Sequence, residues 1–169
     1  DFSPTILRFA TAFGLSPRMR YDLTLNEFTL ILSRNEVLEV YDPDTWRPYC
    51  HVQDFARLIH RTIFINRELT NGEIFNAGGD NNNHTKRSII EIITKHIKDC
   101  NVKYVSGGKD ARNYKVDFSK VREKLYFEPE WSADDGVEEI LKNIDGQTQD
   151  LELGKSSLYG NYSIESKYL

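Results

Sequence analysis

Short runs of β-branched and aromatic residues alternate along this chain with longer runs whose apolar residues recur at helical spacing. That alternation restricts the chain to folds in which helices cover strands. Thr5-Ile6-Leu7-Arg8-Phe9 reads as a strand, and Ala10-Thr11-Ala12-Phe13-Gly14 as a small-residue stretch bringing backbone close to a ligand at the strand's carboxyl end. From Asp22 to Ser33, Leu25, Phe28, Ile31 and Leu32 share one helical face. Val37 to Tyr41 reads as a strand, Asp42-Pro43-Asp44 as a turn, and Tyr49 to Val52 as a short extended piece. Asp54 is placed to cap a helix carrying Phe55, Leu58, Ile59, Thr62 and Ile63 on one side. Asn71-Gly72 turns the chain into a strand at Ile74 to Ala77, and Ile89, Ile92, Ile93 and Ile97 mark the next helix. A strand at Val102 to Val105 follows. Two helical pieces come after it, one through Val121 and Leu125 and one through Val137, Ile140, Leu141 and Ile144. The predicted class is α/β, with residues 1–145 structured and a polar tail at 146–169 that packs only through residues such as Leu151, Tyr159 or Tyr162. No internal repeat is visible.

A chain of 169 residues suffices for one compact unit with a real core. No apolar run approaches the ~20 residues of a membrane helix, so a membrane partner is not expected. The net charge of -4 gives no footprint for nonspecific nucleic-acid binding, while clustered arginines can still hold one small phosphorylated ligand. Cys50 and Cys100 are too few for a disulfide framework and lack zinc-site spacing, which fits a reducing, cytoplasmic setting. Asp1-Phe2-Ser3-Pro4 shows neither the basic nor the apolar region of a signal peptide, and a leader further upstream stays open. Asn83-His84-Thr85 and Asn161-Tyr162-Ser163 match the glycosylation sequon, a pattern short enough to arise by chance.

Some chemistry is missing. A dinucleotide fingerprint needs clustered glycines between strand and helix, and the pairs Gly78-Gly79 and Gly107-Gly108 do not supply that spacing. No tyrosine has a lysine four residues on, so no phenol and ammonium share a helix face for proton transfer. His51, His60, His84 and His96 form no close ligand pair for a metal, and no Ser/His/Asp signature stands out.

Four stretches carry a family resemblance. They are Ser3 to Gly14 continuing through Ser16-Pro17-Arg18-Met19-Arg20-Tyr21-Asp22; Arg47-Pro48-Tyr49-Cys50-His51-Val52-Gln53-Asp54-Phe55-Ala56; Ile74 to Gly78; and Asp110 to Asp117 leading into Phe127-Glu128-Pro129-Glu130-Trp131. In order and spacing they resemble the C-terminal portion of the extended short-chain dehydrogenases, specifically the NAD-dependent nucleotide-sugar epimerases and dehydratases, from Ser3 to about Ile144. The resemblance implies the last Rossmann strands plus the smaller substrate-binding domain. It places the NAD-binding half and the Ser/Thr, Tyr and Lys catalytic group upstream. It also implies a nucleotide-activated sugar as ligand, a homodimeric parent, and no turnover by this chain alone.

By position in that family, Phe9 and Ala10 flank the nicotinamide, and Thr11 stands where many relatives carry an asparagine facing the sugar. Arg47 is similar to an arginine that grips the nucleotide diphosphate, for which a planar fork of donors is suited. Otherwise it is a solvated arginine in a turn. Arg112 follows the same logic, with an ion pair to Asp117 as the alternative. Arg18 and Arg20 sit in a loop after the strand, able to bind phosphate or sugar, unless Asp22 simply pairs with one of them. His51 and Asp54 read as structural, a buried imidazole bonded to backbone and a helix cap. The rival to a piece of an enzyme is a free-standing, non-catalytic binding module.

Overall fold

The computed structural model describes residues 2–107 and 112–144, so the 146–169 tail lies outside the described residues. In chain order the elements are β1 (Ile6–Phe9), β2 (Thr11–Phe13), α1 (Thr24–Ser33), β3 (Leu38–Tyr41), β4 (Trp46–His51), α2 (Val52–Phe64), β5 (Ile74–Ala77), β6 (Asn83–Thr85), α3 (Lys86–His96), β7 (Val102–Val105), α4 (Ser119–Leu125) and α5 (Ala133–Asn143). Among the described residues three small sheets result. β1 runs parallel to β5, with Phe9 opposite Ala77; β4 is parallel to β2 on one side and antiparallel to β6 on the other; β3 is parallel to β7. Parallel pairs joined through helices are what the predicted α/β class requires.

Two apolar clusters hold these sheets. In the larger, Leu25, Leu32, Ile89, Ile93, Val137 and Ile140 bring α1, α3 and α5 together over Phe13 and Tyr49. In the smaller, Leu58, Phe75, Phe118, Leu125 and Phe127 pack α2 and α4 against the β1–β5 pair. Each fully buried Leu, Ile or Phe contributes roughly 1.5–3 kcal/mol, so removing one large side chain from either cluster is felt throughout it. Two glycines permit the closest approaches. A Cβ on Gly14, whose φ is +98°, would lie 2.0 Å from His51 Nε2, and a Cβ on Gly136 would lie 2.3 Å from the Phe13 ring.

Several expectations are corrected. The stretch after Phe9 is not merely a close-approach loop: Thr11–Phe13 forms a second strand aligned on Tyr49, Cys50 and His51. The helix expected from Asp22 begins at Thr24, and the extended piece at Tyr49 is a six-residue strand starting at Trp46. Asp54 does not cap α2. His51 does, its Nδ1 accepting the Gln53 amide at 3.2 Å. Asp54 is fully buried within the first turn, where its carboxylate accepts the Glu130 and Trp131 amides at 3.1 Å each and pairs with Arg57. An acidic residue near a helix start looks the same in sequence whether it caps the helix or ties down a distant loop.

Among the described residues β1 pairs only with β5, leaving its other edge open. Ile6 and Ile74 are exposed on one face of that pair, and Ile59, Ile63 and Phe64 on the outer side of α2, Ile63 to 68%. No helix among the described residues is long and apolar enough to cross a membrane.

Candidate functional site

The carboxyl ends of β1 and β5 open into a cavity of about 350 Å³ whose walls include Arg8, Phe9, Ala10, Thr11, Asn76 and Tyr114. This is where parallel sheets present ligands, because backbone groups and side chains at strand ends converge there without covering helices. Ala10 is fixed by its amide, which donates to Ala77 O at 3.0 Å, and Phe9 meets Phe55 edge-on at 4.5 Å. Thr11 is held by strand pairing with Tyr49.

The opposite wall is an extended strap, residues 113–118, laid across the sheets by side-chain amides that imitate strand pairing. Asn83 accepts the Val116 amide and donates to Val116 O, both at 3.0 Å, Asn76 donates to Asp117 O at 3.1 Å, and Asp80 accepts the Phe118 amide at 3.1 Å. At its start, Asn113 accepts the Trp46 amide at 2.8 Å. The strap delivers the Tyr114 ring over Arg47, whose guanidinium carbon lies 5.2 Å from the ring centroid.

Arg47 is on β4, not in a turn, and only 9% of it is exposed. Its Nη1 donates to Trp46 O at 2.7 Å. A guanidinium so packed loses little further freedom on gripping a ligand, which suits it to a bidentate contact. Two residues on, Tyr49 is buried and its phenol is pushed up to about 12 by burial, with the Thr24 hydroxyl bond and the Arg47 charge opposing the rise. His84, across from Arg47 in β6, is held below the usual histidine range by burial. Glu27 on α1 is raised by burial and by the Asp22 carboxylate, against a smaller opposing pull from Lys86.

The other candidates separate. Arg20 makes a bidentate pair with Asp22, both contacts 2.6 Å. Arg18 lies in the same loop, two residues ahead of Arg20. Arg112 opens the strap on its exposed side, and the Asp117 carboxylate is engaged by the Ser119 amide at 2.7 Å, which holds it below the usual carboxylate range. His51 is fully buried and bonded to backbone, as expected. Sequence reasoning missed Tyr114, Asn83 and Arg8. Arg8, whose backbone pairs with Asn76, lines the cavity, and its side chain makes no ion pair among the described residues. Buried Cys50 has its thiol raised by burial, which makes it an inert packing residue. No cluster of three metal-ligating side chains exists among the described residues.

No family model matches the chain. A UDP-glucuronate 4-epimerase of Thermodesulfobacterium geofontis is 28% identical over 155 residues, covering 90% of this chain and 45% of that protein. The UDP-glucuronic acid 4-epimerase of Bacillus cereus, solved in complex with UDP-glucuronic acid and NAD, superposes with a TM-score of 0.69 at 23% identity, over 82% of this chain and 44% of that one. The dTDP-glucose 4,6-dehydratase of Bacillus anthracis, solved with NAD, gives 0.66 at 23%, over 80% and 42%. The α/β fold is therefore that of the extended short-chain dehydrogenases. More narrowly, the homologues and structural neighbours of the chain are NAD-dependent nucleotide-sugar epimerases and dehydratases, and the chain spans less than half the length of each of these three.

Proposed function

We propose that this chain is the substrate-side portion of an NAD-dependent nucleotide-sugar epimerase/dehydratase, whose Gly-rich loop and Tyr-x-x-x-Lys pair belong to an upstream half. The observation that carries the reading is the pre-packed Arg47 guanidinium beneath Tyr114, beside a strand-end cavity walled by Phe9, Ala10 and Thr11. Arg47 anchors the diphosphate, with Arg112 and the loop bearing Arg18, Arg20 and Asp22 closing around the sugar nucleotide. The half-exposed Phe9 ring and Ala10 offer an apolar shelf of the kind a flat pyridine ring can lie against, which fits the nicotinamide end of NAD. When bound, NAD⁺ supplies the hydride acceptor. The residues of this chain hold and orient the sugar beneath it and exclude water. Taken alone, the chain turns nothing over. The parent acts as a soluble, cytoplasmic homodimer on a UDP-linked sugar, the ligand class named for two of the three relatives above. The positive charge of Arg8, which lines the cavity beside Thr11, favours an anionic one such as a uronate.

Calorimetric titration with UDP-glucuronate, UDP-glucose and dTDP-glucose tests this. Losing a charge-assisted bidentate contact costs on the order of 1.5–3 kcal/mol, so Arg47→Ala should weaken binding about ten-fold or more. Arg47→Lys should recover part of the loss, because a point charge cannot reproduce the fork. Equal affinity of wild type and Arg47→Ala for the whole panel would remove the argument. Reading the encoding DNA upstream of Asp1 separates the two origins of the chain. An in-frame Tyr-x-x-x-Lys supports the enzyme portion, and a start codon with no such motif supports a free-standing binding module.

A further inference from the structure

The loop between β2 and α1 carries Arg18, Arg20 and Asp22, and both of its ends are held by side chains, the partly buried Glu139 and the buried Asn26, that no ligand needs to touch. At its start, Glu139 of α5 reaches across 124 residues so that one carboxylate oxygen, Oε2, accepts the Leu15 amide at 2.8 Å and also contacts His51 Nε2 at 2.9 Å. The tautomer follows from the other ring nitrogen. Nδ1 accepts the Gln53 amide, so Nε2 carries the hydrogen that Glu139 receives. The imidazole is itself immobilised, stacked on Trp131 at 4.2 Å and 11° and edge-on to Phe13 at 5.2 Å. Asn26, almost wholly buried on α1, spans the loop's two ends: its Oδ1 accepts the Gly14 amide at 3.1 Å and its Nδ2 donates to Arg20 O at 2.9 Å. Gly14 can carry no side chain, because a Cβ there would overlap the His51 ring.

We infer that Glu139 is a positioning residue for ligand binding. Through Leu15 and His51 it fixes the direction in which the Arg18–Asp22 loop leaves β2, so that the loop is ordered before the nucleotide sugar arrives. This rests on the assignment of that loop to the sugar-nucleotide site made above. Pre-ordering raises affinity by removing the cost of fixing the loop on binding, with no contact from Glu139 to the ligand. Because both N–H groups converge on a single oxygen, an amide in place of the carboxylate keeps the geometry and loses the charge.

The test compares Glu139→Ala and Glu139→Gln in the full 169-residue chain by amide hydrogen exchange and by titration with UDP-glucuronate and UDP-glucose. Glu139→Ala should speed exchange of Leu15 and of the loop up to Asp22 about ten-fold or more, and weaken binding about five-fold or more. Glu139→Gln should hold both close to wild type. The inference is overturned if Glu139→Ala lowers the melting temperature but leaves loop exchange and affinity unchanged, which makes the contact a core tie only. It is also overturned if Glu139→Gln is as damaging as Glu139→Ala, which makes the charge the active element. Should Glu139→Ala not fold, the wild-type chain still decides, since a Leu15 amide exchanging as fast as an open loop contradicts the clamp. A wild type that binds no nucleotide sugar while its loop exchange responds to Glu139→Ala leaves the clamp standing and refutes the assignment of the ligand.

Discussion

Replacing Asp54 with alanine separates two meanings of an aspartate near a helix start. A capping side chain lost to alanine costs about 1 kcal/mol. Asp54 instead is buried completely, takes two backbone amides of the Glu130-Trp131 segment and pairs with Arg57, which also reaches Glu130. Its removal strands two amides and an arginine whose guanidinium lies over Phe127. Hydrogen bonds to a charged group are worth about 1.5–3 kcal/mol each, but these three share one carboxylate and do not add. Breaking a buried pair from one side costs about 3–5 kcal/mol, and that is the expected loss for Asp54→Ala. In a domain of this size it corresponds to a drop of roughly 10 °C in melting temperature. Asp54→Asn keeps one acceptor and turns an N–H donor toward another, so it should lose about half as much. Urea unfolding followed by tryptophan fluorescence suits the measurement, because Trp131 lies on the tied segment against the His51 ring. A loss of about 1 kcal/mol for Asp54→Ala, the value of a cap, would refute the reasoning.

Acid should weaken the link between β5 and α4. Lys120 and Lys124 bond the Glu73 carboxylate and bring its pKa from 4.5 to about 2. A depressed folded-state pKa means that this contribution is fully present above about pH 4.5 and is lost as pH falls toward 2, so Glu73→Gln should flatten the acid limb of a stability-versus-pH curve in that window, with the difference shrinking in high salt. The open edge of β1, with the exposed Ile6 on it, and the exposed Ile63 of α2 should make the isolated chain self-associate as its concentration rises, and lysine at both positions should return it to monomer in light scattering. A concentration-independent monomer with slow amide exchange along Ile6 to Phe9 contradicts this.

Helical periodicity located α1, α2, α3 and α5 from the spacing of residues such as Leu25 and Leu32 or Val137 and Ile140, because each helix buries one face and exposes the other. The short strands β2 and β6 were illegible. Three residues carry no alternation to read, and Asn83-His84-Thr85 is polar because it pairs at a sheet margin. At the site, Arg47 stood out only through the family resemblance; nothing local indicates that an arginine between Trp46 and Pro48 is packed under an aromatic ring supplied by a distant strap. Glu139 was hidden for the same reason. It lies 88 residues from His51, on the polar side of a helix whose apolar face had already accounted for the pattern.

The pairing of β1 with β5 also orders events in time. Ser3 and Asn71, bonded at 2.6 Å beside that pair, are 68 residues apart, and the whole β2-to-α2 segment lies between them. Closing so long a loop precedes any reward from the contact, so the strand carrying Phe9 settles late, after nearer neighbours such as α1 and β3 have met. During synthesis β1 is made well before Ile74 to Ala77, the strand it pairs with. Substitutions in β5 should therefore mainly speed unfolding and leave the refolding rate close to that of the wild-type chain.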